Sequence, residues 1–354
     1  MHILIDIGHP AHVHLFKNFA WEMQKKRHEI FFTCREKEFE IHLLKSYGFQ
    51  YKSFGAKYKS RFGKILGLVN FGIKELITGI NFKPDIFISH GSIYAAHAAF
   101  LLRKPHISLE DSGNMEQIRL YLPFTQAVIT PDVLEVDLGK KMINYSGYHE
   151  LAYLHPNNFV PDNSILDKYG LDIREEYAII RFVSWSATHD KGQLGFTERE
   201  KKEVIDYLIK KKIKVFITSE SELPIEYNQY QNIFPPESIH HFLAFARIVI
   251  SEGATLASEA GVLGAPTIYV NSIKRCYNED QEERYSTVYN YRSGSGVLKR
   301  IEELVSVKRS DFGISKKMVD EKIDLTAFLV WFVEDWPESF NIMKENPDYQ
   351  YRFK

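Results

Sequence analysis

Cysteine is nearly absent from this chain: Cys34 and Cys276 are the only two in 354 residues. Two thiols so far apart in sequence make neither a disulfide framework nor a thiolate metal cluster, and a reducing, cytoplasmic setting suits them. An excess of charge of one sign is also missing, since 45 basic residues face 46 acidic ones. No global field therefore draws the protein to nucleic acid. No uninterrupted apolar run is long enough to span a bilayer. The opening MHILIDIGHP lacks the basic start and long apolar core of a signal peptide, and reads as a first strand. No Asp-x-Asp motif of the kind that holds a metal-bridged diphosphate occurs, and no repeat of solenoid length. What remains is the composition of a globular protein, 44% hydrophobic and 26% charged. A chain of this length exceeds one ordinary core and predicts two domains.

Apolar runs and helical spacings alternate along the first half. Strands are expected at 2–7, 29–33, 51–54, 86–89, 106–109 and 128–130. Helices are expected at 14–26, 38–47, 62–80 and 93–102, the third with Ile65, Val69, Ile73, Leu76 and Ile77 on one side. Strands separated by helices imply a parallel sheet covered on both faces. Residues 147–161, rich in Pro, Asn and His, have no clear period and read as a linker. The pattern then resumes, with strands at 177–182 and 213–217, helices at 197–211, 236–246 and 298–304, and a last amphipathic helix at 324–336. The domain reading is 1–150, a linker 151–165, 166–323, and a returning helix in 324–354. Two such halves facing each other create a cleft at the carboxyl ends of their strands, where ligands bind. Residues 56–80 mix basic and aromatic side chains. They are a candidate for peripheral contact with an anionic membrane face, although a helix with one solvated side has the same composition.

The most informative stretch is 251–270, SEGATLASEAGVLGAPTIYV, which follows the β-type run 248–250. It reads as strand, glycine turn, helix and strand in little more than twenty residues, and such a turn offers backbone N–H groups to an anion. Gly253, Ala254 and Thr255 are the expected diphosphate contacts. Glu259, one turn after Thr255 on the same helix face, can accept both hydroxyls of a ribose. An ordinary crossover with a solvated glutamate has the same pattern.

Four other segments fall at strand ends. In DIGHPAHVH, His12 and then His9 are candidate bases near neutral pH, while His14 belongs to the helix that follows. Capping of that helix is the alternative, and no further ligands complete a metal set around these histidines. His90-Gly91-Ser92 offers N–H groups and the Ser92 hydroxyl at a helix start. Glu110 and Asp111 follow strand 106–109, and neighbouring side chains there point opposite ways, so one can act while the other caps. RFVSWSATHD places Ser184 and Ser186 for phosphate contact and His189 for sugar contact. The polar run 271–283 suits hydroxyl recognition or is a plain loop and helix start.

Taken together, DIGHPAHVH, PDIFISHGS, RFVSWSATHD, SELP and SEGATLASEAGVLGAPTIYVNS resemble, nearly end to end, a family of predicted glycosyltransferases in the glycosyltransferase-B superfamily. PAHVH is similar to the glycine-rich turn of MurG-type N-acetylglucosaminyltransferases, which places His12 on their proposed base, although the consecutive glycines are missing here. PDIFISHGS and SLEDSG resemble segments of non-hydrolysing UDP-N-acetylglucosamine 2-epimerases, with Ser92 standing for an aspartate and Glu110 falling on a glutamate. Glu259 falls on the ribose-binding glutamate of both. The resemblance implies two Rossmann-like domains facing a central cleft, a C-terminal helix crossing back to the first domain, and no obligatory metal or other cofactor. It implies a nucleotide-sugar donor, with UDP the expected nucleotide, and a glycan or lipid-linked acceptor in surface-polysaccharide or glycolipid synthesis. Epimerisation of a UDP-sugar at C2, with Glu110 and Asp111 as acid and base, is the alternative; non-catalytic binding of a nucleotide sugar is a second. Fold alone does not separate the three.

Overall fold

The computed structural model describes residues 1–354 apart from 57–60, 173, 184–194, 220–221 and 309–312, and the side chains of 61–66. By contacts the chain forms two compact units, Met1–Asn158 with Glu321–Lys354, and Phe159–Asp320.

The first unit is built on a seven-stranded sheet: β1 (His2–Ile7), β2 (Glu29–Glu36), β3 (Tyr51–Ala56), β4 (Ile86–His90), β5 (His106–Leu109), β6 (Ala127–Pro131) and β7 (Met142–Tyr145). The order is β3-β2-β1-β4-β5-β6-β7, and every pairing is parallel. Because helices cover both faces, the central strands are continuous apolar runs, and Ile3, Leu4, Ile5 and Ile7 are buried without alternation. The chain order reverses between β1 and β4, so the loops after these strands diverge there and leave a crevice.

The helix expected at 14–26 starts earlier, at Pro10. Proline suits a first helical position, and His9 caps it by accepting the Ala11 N–H on Nδ1. His14 lies on the helix as expected, and His12 lies there too rather than in a turn. In the long helix Arg61–Phe82, Val69, Ile73 and Ile77 of the expected stripe are exposed, as is Ile80, whereas Leu76 packs partly buried on the core and Phe71, Glu75 and Thr78 face inward; the side chain of Ile65 lies outside the described residues. Gly79 is the reason for the close packing, since a Cβ there would meet Leu102 Cδ1 at 2.6 Å. No helix among the described residues is long and apolar enough to cross a membrane. At the other end of the chain, Asp324 caps the helix Leu325–Glu334, which returns to pack on the helix Pro10–Lys25 of the first unit.

The second unit carries a five-stranded parallel sheet of β8 (Tyr177–Phe182), β9 (Lys214–Ser219), β10 (Ile248–Ser251), β11 (Thr267–Val270) and β12 (Val288–Tyr291), ordered β12-β11-β10-β8-β9. Its reversal point lies between β8 and β10, where Arg181 and Ser251 are register partners. The strand and helix expected from 251–270 are both present, as β11 and the helix Ala254–Val262. The run 271–283 is largely the helix Cys276–Tyr285.

Candidate functional site

Asp6 ends β1 as a fully enclosed carboxylate. Parallel register sets Asp6 beside Thr33 of β2, and the strand carries Arg35 past it. Arg35 Nη1 donates to both carboxylate oxygens, at 2.5 and 2.7 Å, Thr33 Oγ1 donates at 2.9 Å, and the Ser92 hydroxyl also donates to it. Arg35 lies over the Tyr94 ring, 4.7 Å from its centroid. Ser92 is the N-cap of the helix Ile93–Leu102, accepting the Ala95 N–H at 3.2 Å. The hydroxyl that the sequence offers at this helix start is thus engaged in joining the helix to Asp6 of β1.

Glu75 reaches the same hub from the helix Arg61–Phe82, fully buried beside Thr33 and Arg35. Burial, and next the charge of Asp6, hold its carboxyl well above the ordinary 4.5, and Thr33 and Arg35 offset only part of this. A folded-state pKa above the unfolded one means that the fold retains a proton that the unfolded chain releases, so stability falls as pH rises from the unfolded value through the folded one. Glu75→Gln mimics the neutral acid. It is expected to flatten this slope, gaining on the native chain as pH rises and matching it most closely in acid. Urea unfolding across the acid-to-alkaline range checks it, and an unchanged slope would contradict the assignment.

Around the crevice the imidazoles cluster. His12 Nδ1 accepts the Gly8 N–H at 3.2 Å, so the neutral ring in this geometry carries its proton on Nε2. Its ring stacks on His90 with centroids 4.5 Å apart. His90 Nε2 meets Asp111 Oδ1 at 3.0 Å. Burial alone would lower the His90 pKa, but the hydrogen bond and charge of Asp111, with Glu110 behind it, raise it. His149 stands edge-on to His90, centroids 5.2 Å apart, with Nδ1 2.6 Å from the Tyr145 hydroxyl. Burial pushes its pKa down to about 4. Glu110, unlike Asp111, is enclosed by its own turn. Oε1 accepts from Ser112 N, Ser112 Oγ and Gly113 N at 2.8, 2.5 and 3.1 Å, and Oε2 from the Tyr121 hydroxyl at 2.8 Å. The structure therefore brings His12, His90 and Asp111 together, and sets His9 apart as a helix cap 3.9 Å from Glu38.

In the second unit, Gly253 caps the helix Ala254–Val262 without a side-chain bond of its own, and its N–H donates to Ser251 Oγ at 3.0 Å. Arg181, at the end of β8, lies against it: a Cβ on Gly253 would be 3.2 Å from Arg181 Nε. Ala254 and Thr255 form the first turn. Glu259 is buried, with Oε1 3.2 Å from Nε2 of the buried His240. Glu252 accepts the N–H groups of Val183 and Phe196, both at 2.9 Å. Burial raises its pKa. Ser184, Ser186 and His189 lie outside the described residues.

Sequence reading missed Asp6, Arg35, Glu75, His149, Arg181, His240 and Glu252 as site residues. Asp6, Arg181 and Glu252 carried a signal, each lying within a segment already singled out; His149 carried none.

The model of a family described as "Protein of unknown function (DUF354)" matches residues 1–322. No curated protein matches the sequence. Among solved structures, the fold is similar to a UDP-N-acetylglucosamine 2-epimerase from Rickettsia bellii, with TM-score 0.67 and 14% identity over 97% of this chain and 98% of that one. It is similar to a UDP-GlcNAc 2-epimerase from Neisseria meningitidis bound to UDP-GlcNAc, with TM-score 0.60 and 14% identity over 94% and 98%. The spinosyn forosaminyltransferase SpnP matches with TM-score 0.56 and 14% identity over 99% of each chain. Likeness at such identities is a likeness of fold, and the fold is the two-sheet GT-B class expected from the sequence.

Proposed function

The chain belongs to the DUF354 family, and from that starting point we propose that it is an enzyme acting on a nucleotide sugar, transferring the sugar to an acceptor hydroxyl in surface-polysaccharide or glycolipid assembly. One observation carries the reading: Arg181 lies against the side-chain-uncapped start of the helix Ala254–Val262, at the reversal point of the second sheet. An arginine beside the backbone N–H groups of a helix start suits a diphosphate. Ala254 and Thr255 meet the diphosphate through the backbone, Gly253, whose own N–H is held by Ser251 Oγ at 3.0 Å, leaves room for its approach, and Glu259 accepts the ribose while sharing one oxygen with His240. Positive charge at the helix start stabilises the departing nucleotide. The bound UDP-GlcNAc named for the Neisseria meningitidis structure supports a UDP donor.

The acceptor belongs at the crevice of the first unit. His12 is the base, and taking a proton on Nε2 requires it to exchange the 3.2 Å Gly8 N–H contact and move its own proton to Nδ1. Asp111 orients His90 beside it. Saturation of Glu110 by four donors supports transfer over epimerisation, since a carboxylate so occupied is poorly placed to move a substrate proton.

Calorimetric titration with UDP, GDP, dTDP and CMP, followed by turnover of the matching sugar nucleotide with and without acceptor, tests the reading. UDP is expected to bind, and the donor to stay intact until acceptor is added. His12→Gln is expected to lower turnover by about 10²- to 10⁴-fold with UDP affinity unchanged. Conversion of the sugar without acceptor would overturn transfer, and failure of every nucleotide to bind would overturn the whole reading.

A further inference from the structure

Three side chains at the carboxyl edge of the first sheet carry an inference that does not depend on which nucleotide, if any, the second unit binds. Donor atoms of His90, Asp111 and His149 all lie within 4.8 Å of one another. His90 Nε2 and Asp111 Oδ1 are already 3.0 Å apart, a spacing at which two atoms can ligate one ion at about 2.1 Å each. His149 supplies a second, separate observation. The residue is 6% exposed, its Nδ1 is held by the Tyr145 hydroxyl, and its buried Nε2 has no hydrogen-bond partner. An imidazole held at one nitrogen by an oxygen partner, with the other left over, is how a metal-ligating histidine is oriented.

We propose that His90, Asp111 and His149 form a binding site for a first-row divalent transition cation such as Zn²⁺. Two imidazoles and one carboxylate favour such an ion over Mg²⁺ or Ca²⁺, which prefer all-oxygen shells. Three protein ligands leave at least one coordination position open, as catalytic rather than structural sites do. His9, His12 and His14, the histidines that the sequence brings forward, are not the ligand set. His12 reaches this cluster only by stacking on His90, and His9 caps its own helix. Closing the site requires side-chain rotation that shortens the longest spacing toward the roughly 3 to 4 Å that a shared ion allows. Asp111, with 20% of its side chain exposed, is the ligand with room to move.

Chelator-stripped full-length protein titrated with Zn²⁺ by calorimetry, and with Co²⁺ by visible absorption, tests the site. One equivalent is expected to bind, with a Co²⁺ spectrum free of thiolate charge transfer. Asp111→Asn and His149→Gln are each expected to weaken Zn²⁺ binding by about 100-fold, and Tyr145→Phe by about tenfold. X-ray absorption at the zinc edge of the native protein is expected to show two imidazole ligands, and it decides the matter with Asp111→Asn if His149→Gln does not fold. Absence of stoichiometric binding, or affinity unchanged in Asp111→Asn, would overturn the proposal.

Discussion

Asp6→Asn is expected to lower the free energy of unfolding by about 3–5 kcal/mol, the cost of leaving a buried charge without its partner. Arg35 is 3% exposed and its Nη1 donates to both Asp6 oxygens, while Thr33 and Ser92 donate to the same carboxylate. An asparagine keeps the shape, removes the charge, and turns one acceptor into a donor facing these groups. The loss has a distinctive pH dependence because Glu75 is the other carboxyl acting on Arg35. Asp6 is one of the causes that keep Glu75 protonated, so removing Asp6 eases its ionisation, and an ionised Glu75 can take over part of the charge balance of Arg35. The Asp6→Asn deficit is therefore expected to shrink as pH rises, whereas Asp6→Asn/Glu75→Gln keeps the full deficit. Denaturant unfolding of the native chain, both singles and the double at several pH values forms a double-mutant cycle. A deficit under about 1 kcal/mol, within the range of exposed ion pairs, would show that the hub does not hold β1 to β2 and β4.

Much of the frame is legible in the sequence because its central strands are buried on both faces. The runs at 106–109 and 177–182, and the helix at 93–102, coincide with observed elements residue for residue. Of the four edge strands, those at 51–56 and 214–219 are legible in the sequence and the other two are not. Met142–Tyr145 and Val288–Tyr291 include the half-exposed or exposed polar residues Asn144 and Asn290, and their apolar pattern is too short to stand out. The stripe of Arg61–Phe82 misleads because apolar spacing identifies a helix without saying which side is covered; the close approach at Gly79 buries the side bearing Glu75. Site residues follow the same division. Gly253, Glu259, His12 and Asp111 sit in motifs contiguous in sequence. Arg35 meets Asp6 only through parallel register, and His149 meets His90 only because β7 joins the sheet beyond β6.

Arg181→Ala is expected to weaken UDP binding by about 10- to 100-fold, corresponding to the roughly 1.5–3 kcal/mol of a hydrogen bond to a charged group. The pairing of β8 with β10 should survive, because the Arg181 backbone supplies it, including the bond from Glu252 N to Arg181 O at 2.9 Å. Gly253 makes the same argument from the opposite side. Its φ of −93° is open to any residue, so backbone strain is not what requires glycine there. The approach of Arg181 is: a Cβ 3.2 Å from Nε and 3.4 Å from Cδ obliges that side chain to yield by a few tenths of an ångström, and the methyl groups of a valine ask for more. Gly253→Val should therefore reproduce the loss of UDP affinity while the arginine remains in the sequence, and Arg181→Lys should recover only part of it, because a point charge lacks the two-pronged contact of a guanidinium. If the two substitutions act on one anion site, Gly253→Val/Arg181→Ala will bind UDP no more weakly than the worse single. Full additivity in calorimetry would place the diphosphate elsewhere than between this helix start and β8.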